Sequence, residues 1–195
     1  VPILILGASG EEAVEDLINF DITPSVFTYE FAKALSYEAE RKEKVTKIHI
    51  KIDTGMSRIG FLAGENNEEI VDEIIKISKL PYIEIEGIFS HFATSDEYDK
   101  SYTLLQYGRF MDVCNRLEEK GLNIPIKHIC NSAGIMMYPE MHLDMVRPGV
   151  ILYGMYPSDE VDKSRLDLIP AMTLKSTITH IKEVEPGRGV SYGKE

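Results

Sequence analysis

Apolar positions along this chain follow two rhythms. Dense short runs at residues 2–6 ("PILIL"), 24–28 ("PSVFT"), 47–53 ("KIHIKID"), 83–93 ("IEIEGIFSHFA") and 124–131 ("IPIKHICN") predict strands, and "DMVRPGVILYG" at 144–154 predicts a sixth. Between them run longer stretches of helical period. Phe31, Ala34 and Leu35 share one helical face, and Ile70, Ile74 and Ile77 share another, with acids before Ile70 and Lys76 and Lys79 after it. A long helix is predicted over 98–120, stopped by Gly121, and a short one over 133–137. Ser9, with Glu12 three residues on, predicts a capping box for the first helix.

Strands alternating with helices predict a parallel sheet with helices outside, closed either as an open doubly wound sheet or as a (β/α)₈ barrel. The one glycine-rich turn after an early strand, "GASGEE", lacks the G-x-G-x-x-G spacing of a dinucleotide site. From residue 170 the pattern changes to period two, "AMTLKSTITHIKEVEPGRGVSYG", with a Pro-Gly turn and no helix. A second, β-rich domain is expected over 170–195, after an α/β domain over 1–169. The chain opens on a strand pattern without methionine and ends on another, which reads as a piece of a longer protein.

Composition narrows the chemistry. The 195 residues are 44% hydrophobic and 27% charged, an ordinary globular balance, and no run approaches the ~18 apolar residues of a membrane span. The formal net charge of −11 argues against nucleic acid as partner. Cys114 and Cys130 form no C-x-x-C pair, which fits a reduced, cytoplasmic setting. Met136, Met137 and Met141 read as core packing.

The third run poses a problem. Alternation puts Ile48, Ile50 and Ile52 on one face and His49, Lys51 and Asp53 on the other. Charge facing an interior is costly unless it is paired or used. Other reactive residues also stand at strand ends: Ser90-His91 after the fourth run, Asn131-Ser132 after the fifth, Arg147 with Gly149 in the sixth, and Arg58 in the turn after Asp53. A barrel gathers its site at the C-terminal ends of its strands, so four polar ends in succession imply one cavity. Taken singly, each residue has a plainer reading: His91 a hydrogen-bonded structural histidine, Lys51 a snorkelling lysine, Ser132 a helix N-cap, Arg147 an ion-pair arginine.

Four segments, "KIDTGMSRIG", "IFSHFATSDE", "HICNSAG" and "DMVRPGVILYG", resemble in order and spacing the signature segments of the bacterial alanine racemases, which use pyridoxal 5'-phosphate. The resemblance implies a partial barrel, roughly strands three to eight, followed by the first strands of that family's β-domain. It implies that His91 packs against the cofactor ring and that Arg147 faces the pyridine nitrogen. Ser132 with the backbone of Gly149 and Val150 would cradle the phosphate, with Asn131 beside it. Arg58 would approach the substrate carboxylate, and Lys51 stands where many members carry a carbamylated lysine that holds this arginine. The family's Schiff-base lysine and its catalytic tyrosine lie in segments that do not occur here, so these 195 residues alone are expected to be inactive. The full-length protein would be a homodimer handling a small amino acid, L- or D-alanine, for peptidoglycan. Rival readings are another barrel of the same cofactor class (a decarboxylase, a cofactor-binding protein or a serine racemase) and a Schiff-base aldolase using Lys51.

Overall fold

The computed structural model describes residues 1–194. Its centre is a parallel sheet in which β3 (Ser25–Val26), β4 (Thr46–Asp53), β6 (Ile83–Phe89) and β7 (Ile126–His128) lie side by side in that order. A short β5 (Phe61–Leu62) pairs with the end of β4. Separately, β1 (Ile3–Leu4) pairs with β2 (Ile22–Thr23), and every pairing is parallel. The connections are helical: α1 (Val14–Asn19), α2 (Tyr29–Arg41), α3 (Glu68–Ile77), α4 (Ser101–Glu119) and α5 (Ser132–Met137).

One face of the sheet makes the core. Ile48, Ile50 and Ile52 of β4 and Ile88 of β6 are fully buried against Leu35 of α2, Ile74 and Ile77 of α3 and Phe110, Val113 and Leu117 of α4. The helical faces predicted from the sequence are the ones that pack here. The other face of β4, β6 and β7 carries Lys51, Phe89 and His128 in one cross-strand row, since Lys51 is in register with Phe89 and Phe89 with His128. All three are at most 3% exposed, so this second face is also an interior.

Three sequence expectations are corrected. The run at 144–154 is not a strand. It is tied beside the β7 end by Asp144 N–H to the Lys127 carbonyl (3.1 Å) and Arg147 N–H to the Cys130 carbonyl (3.0 Å), and it then turns through a 3₁₀ helix, Val150–Tyr153. Pro148 has no N–H with which to continue a ladder. Ser9 caps nothing: the first helical turn is a 3₁₀ helix, Glu11–Ala13, with Gly10 at its N-cap and no side-chain cap bond. The cap of α5 is Asn131, whose side chain accepts from Gly134 N–H, and Ser132 is the first residue inside the helix.

Residues 170–191 form no strand; past Pro170 they are exposed, their alternation having no strand beside it among the described residues with which to pair. Glu195, the last residue of the expected β-rich region, lies outside the described residues.

Candidate functional site

The strand ends converge. A cavity of about 420 Å³ is walled by His91, Asn131, Ser132, Arg147, Gly149 and Val150 together, within the size range of small-molecule sites. Two residues expected at the site stand apart from this wall. Lys51 is buried beneath it at 3% exposure, and Arg58 lies on the exposed loop after β4.

That loop is built by Asp53. Its carboxylate accepts from the backbone N–H groups of Gly55 (2.9 Å), Ser57 (3.0 Å) and Arg58 (3.1 Å). The charge at the β4 end is therefore spent on capping a turn rather than on pairing Lys51. Gly60, at φ +126°, lets the returning chain press onto β4, where an added Cβ would sit 2.6 Å from the Asp53 nitrogen. The loop is further held from α4, where Tyr102 donates to the Gly55 carbonyl and Arg109 to that of Thr54. Fully buried Gln106 joins two strand ends, donating to Thr54 Oγ1 and the His91 carbonyl and accepting from Ala93 N–H.

Lys51 donates to the Ile52 carbonyl (2.7 Å), with its Nζ 5.4 Å from the Phe89 ring centroid. Burial pushes its amine down to about 8, against the pull of Asp53, with Arg147 and Arg58 pushing the same way as burial. The Arg58 side chain makes no hydrogen bond or ion pair among the described residues. The predicted Lys51–Arg58 contact is thus a proximity of like charges.

Arg147 is the most constrained side chain of the site. Its Nη2 donates to the carbonyls of Ser90 (2.7 Å) and Ile129 (3.1 Å) and faces His91 Nδ1 at 3.3 Å, and its Nη1 bonds His128 Nδ1. A guanidinium has no lone pair to offer, so both imidazole nitrogens facing it are acceptors. Burial pushes His91 down to about 4 and His128 down to about 2, and in each the Arg147 charge adds to the burial. Arg147 itself is lowered to about 10 by burial. Its Nε–H is buried and has no acceptor among the described residues.

At the opposite corner Gly149 N–H donates to Ser132 Oγ (2.8 Å). The Ser132 hydroxyl spends a lone pair there and keeps its own proton for a further acceptor. Asn131 is held by structural hydrogen bonds. Its Oδ1 accepts from Ser95 Oγ and Gly134 N–H, and its Nδ2 donates to the Phe92 carbonyl.

Two site histidines were missed as site residues from the sequence. His128 and His49 are 0% and 3% exposed, joined at 2.9 Å between His128 Nε2 and His49 Nδ1. The signal was available in the alternation that puts His49 beside Lys51 and His128 opposite Ile129.

The family described as "Alanine racemase, N-terminal domain" matches residues 1–157. The alanine racemase of Clostridium tetani is 54% identical over 194 residues, covering 100% of this chain and 49% of that protein. That of Desulforamulus reducens is 49% identical, covering 99% of this chain and 51% of the relative. Among solved structures, alanine racemase of Clostridium difficile 630 superposes with a TM-score of 0.91 at 50% identity, over 100% of this chain and 50% of that one. A histidine racemase of Leuconostoc mesenteroides subsp. sake gives 0.83 at 28% identity, over 100% of this chain and 51% of that one. The chain spans about half the length of the relatives it matches. It belongs to the alanine racemase family, and residues 1–157 match that family's N-terminal domain.

Proposed function

We propose that the full-length protein interconverts L- and D-alanine, with pyridoxal 5'-phosphate, the cofactor of this family, held in the cavity. The observation that carries the reading is the unpartnered Arg147 Nε–H. The two Nη2 protons are taken up among Ser90, Ile129 and His91 and one Nη1 proton by His128, whereas the Nε–H is buried with no acceptor among the described residues. An unprotonated pyridine nitrogen would supply the missing acceptor, and the free proton of Ser132 Oγ would suit a phosphate oxygen.

When bound, the cofactor supplies an electron sink for the pair left on the substrate α-carbon. The chain's residues tune that sink. Arg147 keeps its protons at physiological pH, so it bonds the ring nitrogen without protonating it. That restraint on the ring nitrogen would favour racemisation over transamination. His91, held neutral by burial and by Arg147, packs beside the ring without adding a positive charge. Ser132 with the backbone of Gly149 and Val150 holds the phosphate, Asn131 keeps that corner in shape, and Arg58 meets the substrate carboxylate. Lys51, as its carbamate, turns from a repelling cation into an anionic acceptor for Arg58.

In the full-length protein residues 1–169 would form part of a (β/α)₈ barrel, and the segment from 170, which forms no strand by itself over 170–191, would open the β-rich domain. The working unit is a homodimer in the cytoplasm, consistent with two free, buried cysteines and with no described helix long and apolar enough to cross a membrane. A second substrate is favoured by one observation, the likeness to a histidine racemase. Assaying the full-length protein for D-enantiomer formation from L-alanine, L-serine and L-histidine tests both. Turnover of L-alanine above the other two is expected. Absence of alanine turnover in cofactor-loaded protein would overturn the proposal.

A further inference from the structure

Arg147 is a mostly buried cation with no carboxylate within 4 Å among the described residues; its hydrogen-bond partners are neutral carbonyls and imidazoles, and the Phe89 ring centroid lies 5.3 Å from its Cζ. Buried charge needs compensation. The hydrogen-bond directions show where it comes from. Arg147 can only donate, so His128 Nδ1 accepts and the ring's proton sits on Nε2. His128 Nε2–H then donates to His49 Nδ1 at 2.9 Å, which forces the second proton onto His49 Nε2. That atom lies 3.4 Å from Glu86 Oε2. The chain of donors is polarised from one end to the other and terminates on a carboxylate.

The backbone is shaped for this end point. The register between β4 and β6 runs Ile48 with Ile85 and then His49 with Gly87, so Glu86 is the extra residue of a bulge. An unbroken strand would alternate faces at 86 and 87. The bulge instead lets Glu86 reach His49 while Gly87 stays paired with it. Both are needed there: an added Cβ on Gly87 would lie 2.3 Å from the His49 ring, and Glu86 supplies the acceptor. Bulges of this kind re-aim side chains beside functional sites. Lys47 holds the other carboxylate oxygen at 2.6 Å, leaving Oε2 to the histidine.

We propose that Glu86 is the counter-charge of Arg147, coupled to it through His49 and His128, and that Glu86 and His49 are positioning residues for the site. The coupling stands on the geometry alone, and only its use in cofactor chemistry rests on the function proposed above. Each link raises the acceptor strength of the next ring, so the negative end is felt at the guanidinium without a carboxylate entering the cavity. A direct ion pair would place that carboxylate beside the ring nitrogen and phosphate, where it would repel an anionic ligand.

The test is ¹⁵N NMR of the full-length protein labelled at histidine nitrogens, near neutral pH. Both rings are expected to be neutral, each protonated on Nε2 alone. In Glu86→Gln, which keeps an acceptor but removes the charge, the His128 Nδ1 resonance is expected to move although it lies two rings away. A purely structural role for Glu86 predicts a change confined to His49. Any other protonation pattern in the unaltered protein, or a His128 signal that stays in place in a folded Glu86→Gln protein, overturns the proposal. The pattern in the unaltered protein requires no variant to fold. A correct pattern in a protein that fails to racemise alanine would sink the proposed function and leave the coupling standing.

Discussion

Gly87 lies directly under the His49 imidazole, with space for a hydrogen at its Cα and nothing larger: a Cβ built there would sit 2.3 Å from ring atom Cε1 and 2.4 Å from Nδ1. His49 is 3% exposed and bonded to His128, so the ring cannot step aside cheaply. Gly87→Ala is therefore expected to cost about 1–3 kcal/mol, the usual penalty for overpacking a filled interior. Urea denaturation of the full-length protein measures the cost. Loss of the His49–His128 contact should appear as a changed protonation pattern in both rings. An unchanged midpoint together with unchanged histidine signals would contradict the tight fit.

Asp53 gives a second prediction, because one carboxylate organises the whole turn that carries Arg58. Three backbone N–H groups end on it, and Ser57 stands at φ +56°, a conformation an ordinary side chain holds only under constraint. Asp53→Ala orphans all three donors. The expected loss is about 1–3 kcal/mol for the unsatisfied groups, and the amides of Gly55, Ser57 and Arg58 should exchange with solvent faster. Hydrogen exchange read by mass spectrometry checks this. If the full-length protein acts as proposed, the same change should raise KM for alanine more than it lowers kcat, since Arg58 is proposed to meet the substrate carboxylate.

Much of this was legible because local pattern and tertiary demand coincide. Ile48, Ile50 and Ile52 alternate with His49 and Lys51, and the structure buries the first set against the helices and the second in the other interior. The run "VRPGVILYG" misled because β-branched composition says nothing about whether a partner strand is available, and Pro148 removes a donor at the decisive position. Asn131 and Ser132 exchanged roles as cap and first helical residue, a one-residue ambiguity that side-chain chemistry alone leaves open. The Glu86 bulge had no sequence signal beyond Gly87 in mid-strand, whose meaning depends on a ring supplied by another strand.

Lys51 titrates where carbon dioxide chemistry can use it. Burial brings its amine to about 8, so the neutral form that attacks carbon dioxide is already present near neutral pH and increases as pH rises through 8. A carbamate carbon signal is expected after exposing the full-length protein to ¹³C-bicarbonate, growing between pH 7 and 9 and absent in Lys51→Ala. The stability linkage has the same direction. The unfolded lysine holds its proton up to about 10.5 and the folded one only to about 8. The unfolded state then binds more protons across that window, so the unmodified protein gains stability from this group as pH rises through it, and the penalty is complete below about 8.

Acid should unfold this protein through its buried imidazoles. His128 is held down at about 2 and His91 at about 4, both chiefly by burial and then by the Arg147 charge, against 6.5 for an ordinary histidine. His49 is lowered as well, burial outweighing the help of Glu86. Below pH 6.5 the unfolded chain takes up these protons while the folded chain refuses them. Stability is therefore full above about 6.5 and falls as the pH drops towards the folded values, at no more than about 1.4 kcal/mol per pH unit for each group. His128 has a plain test, because His128→Asn removes the titrating ring while its amide can still accept from Arg147. The variant should be less stable than the parent at pH 7, where a well-packed imidazole is lost. It should lose less stability between pH 6.5 and 4, because one proton uptake has gone. Parallel urea curves at pH 7, 5.5 and 4.5 on both full-length proteins read the difference. If the variant loses as much stability over that interval as the parent, His128 is not among the groups that drive acid unfolding.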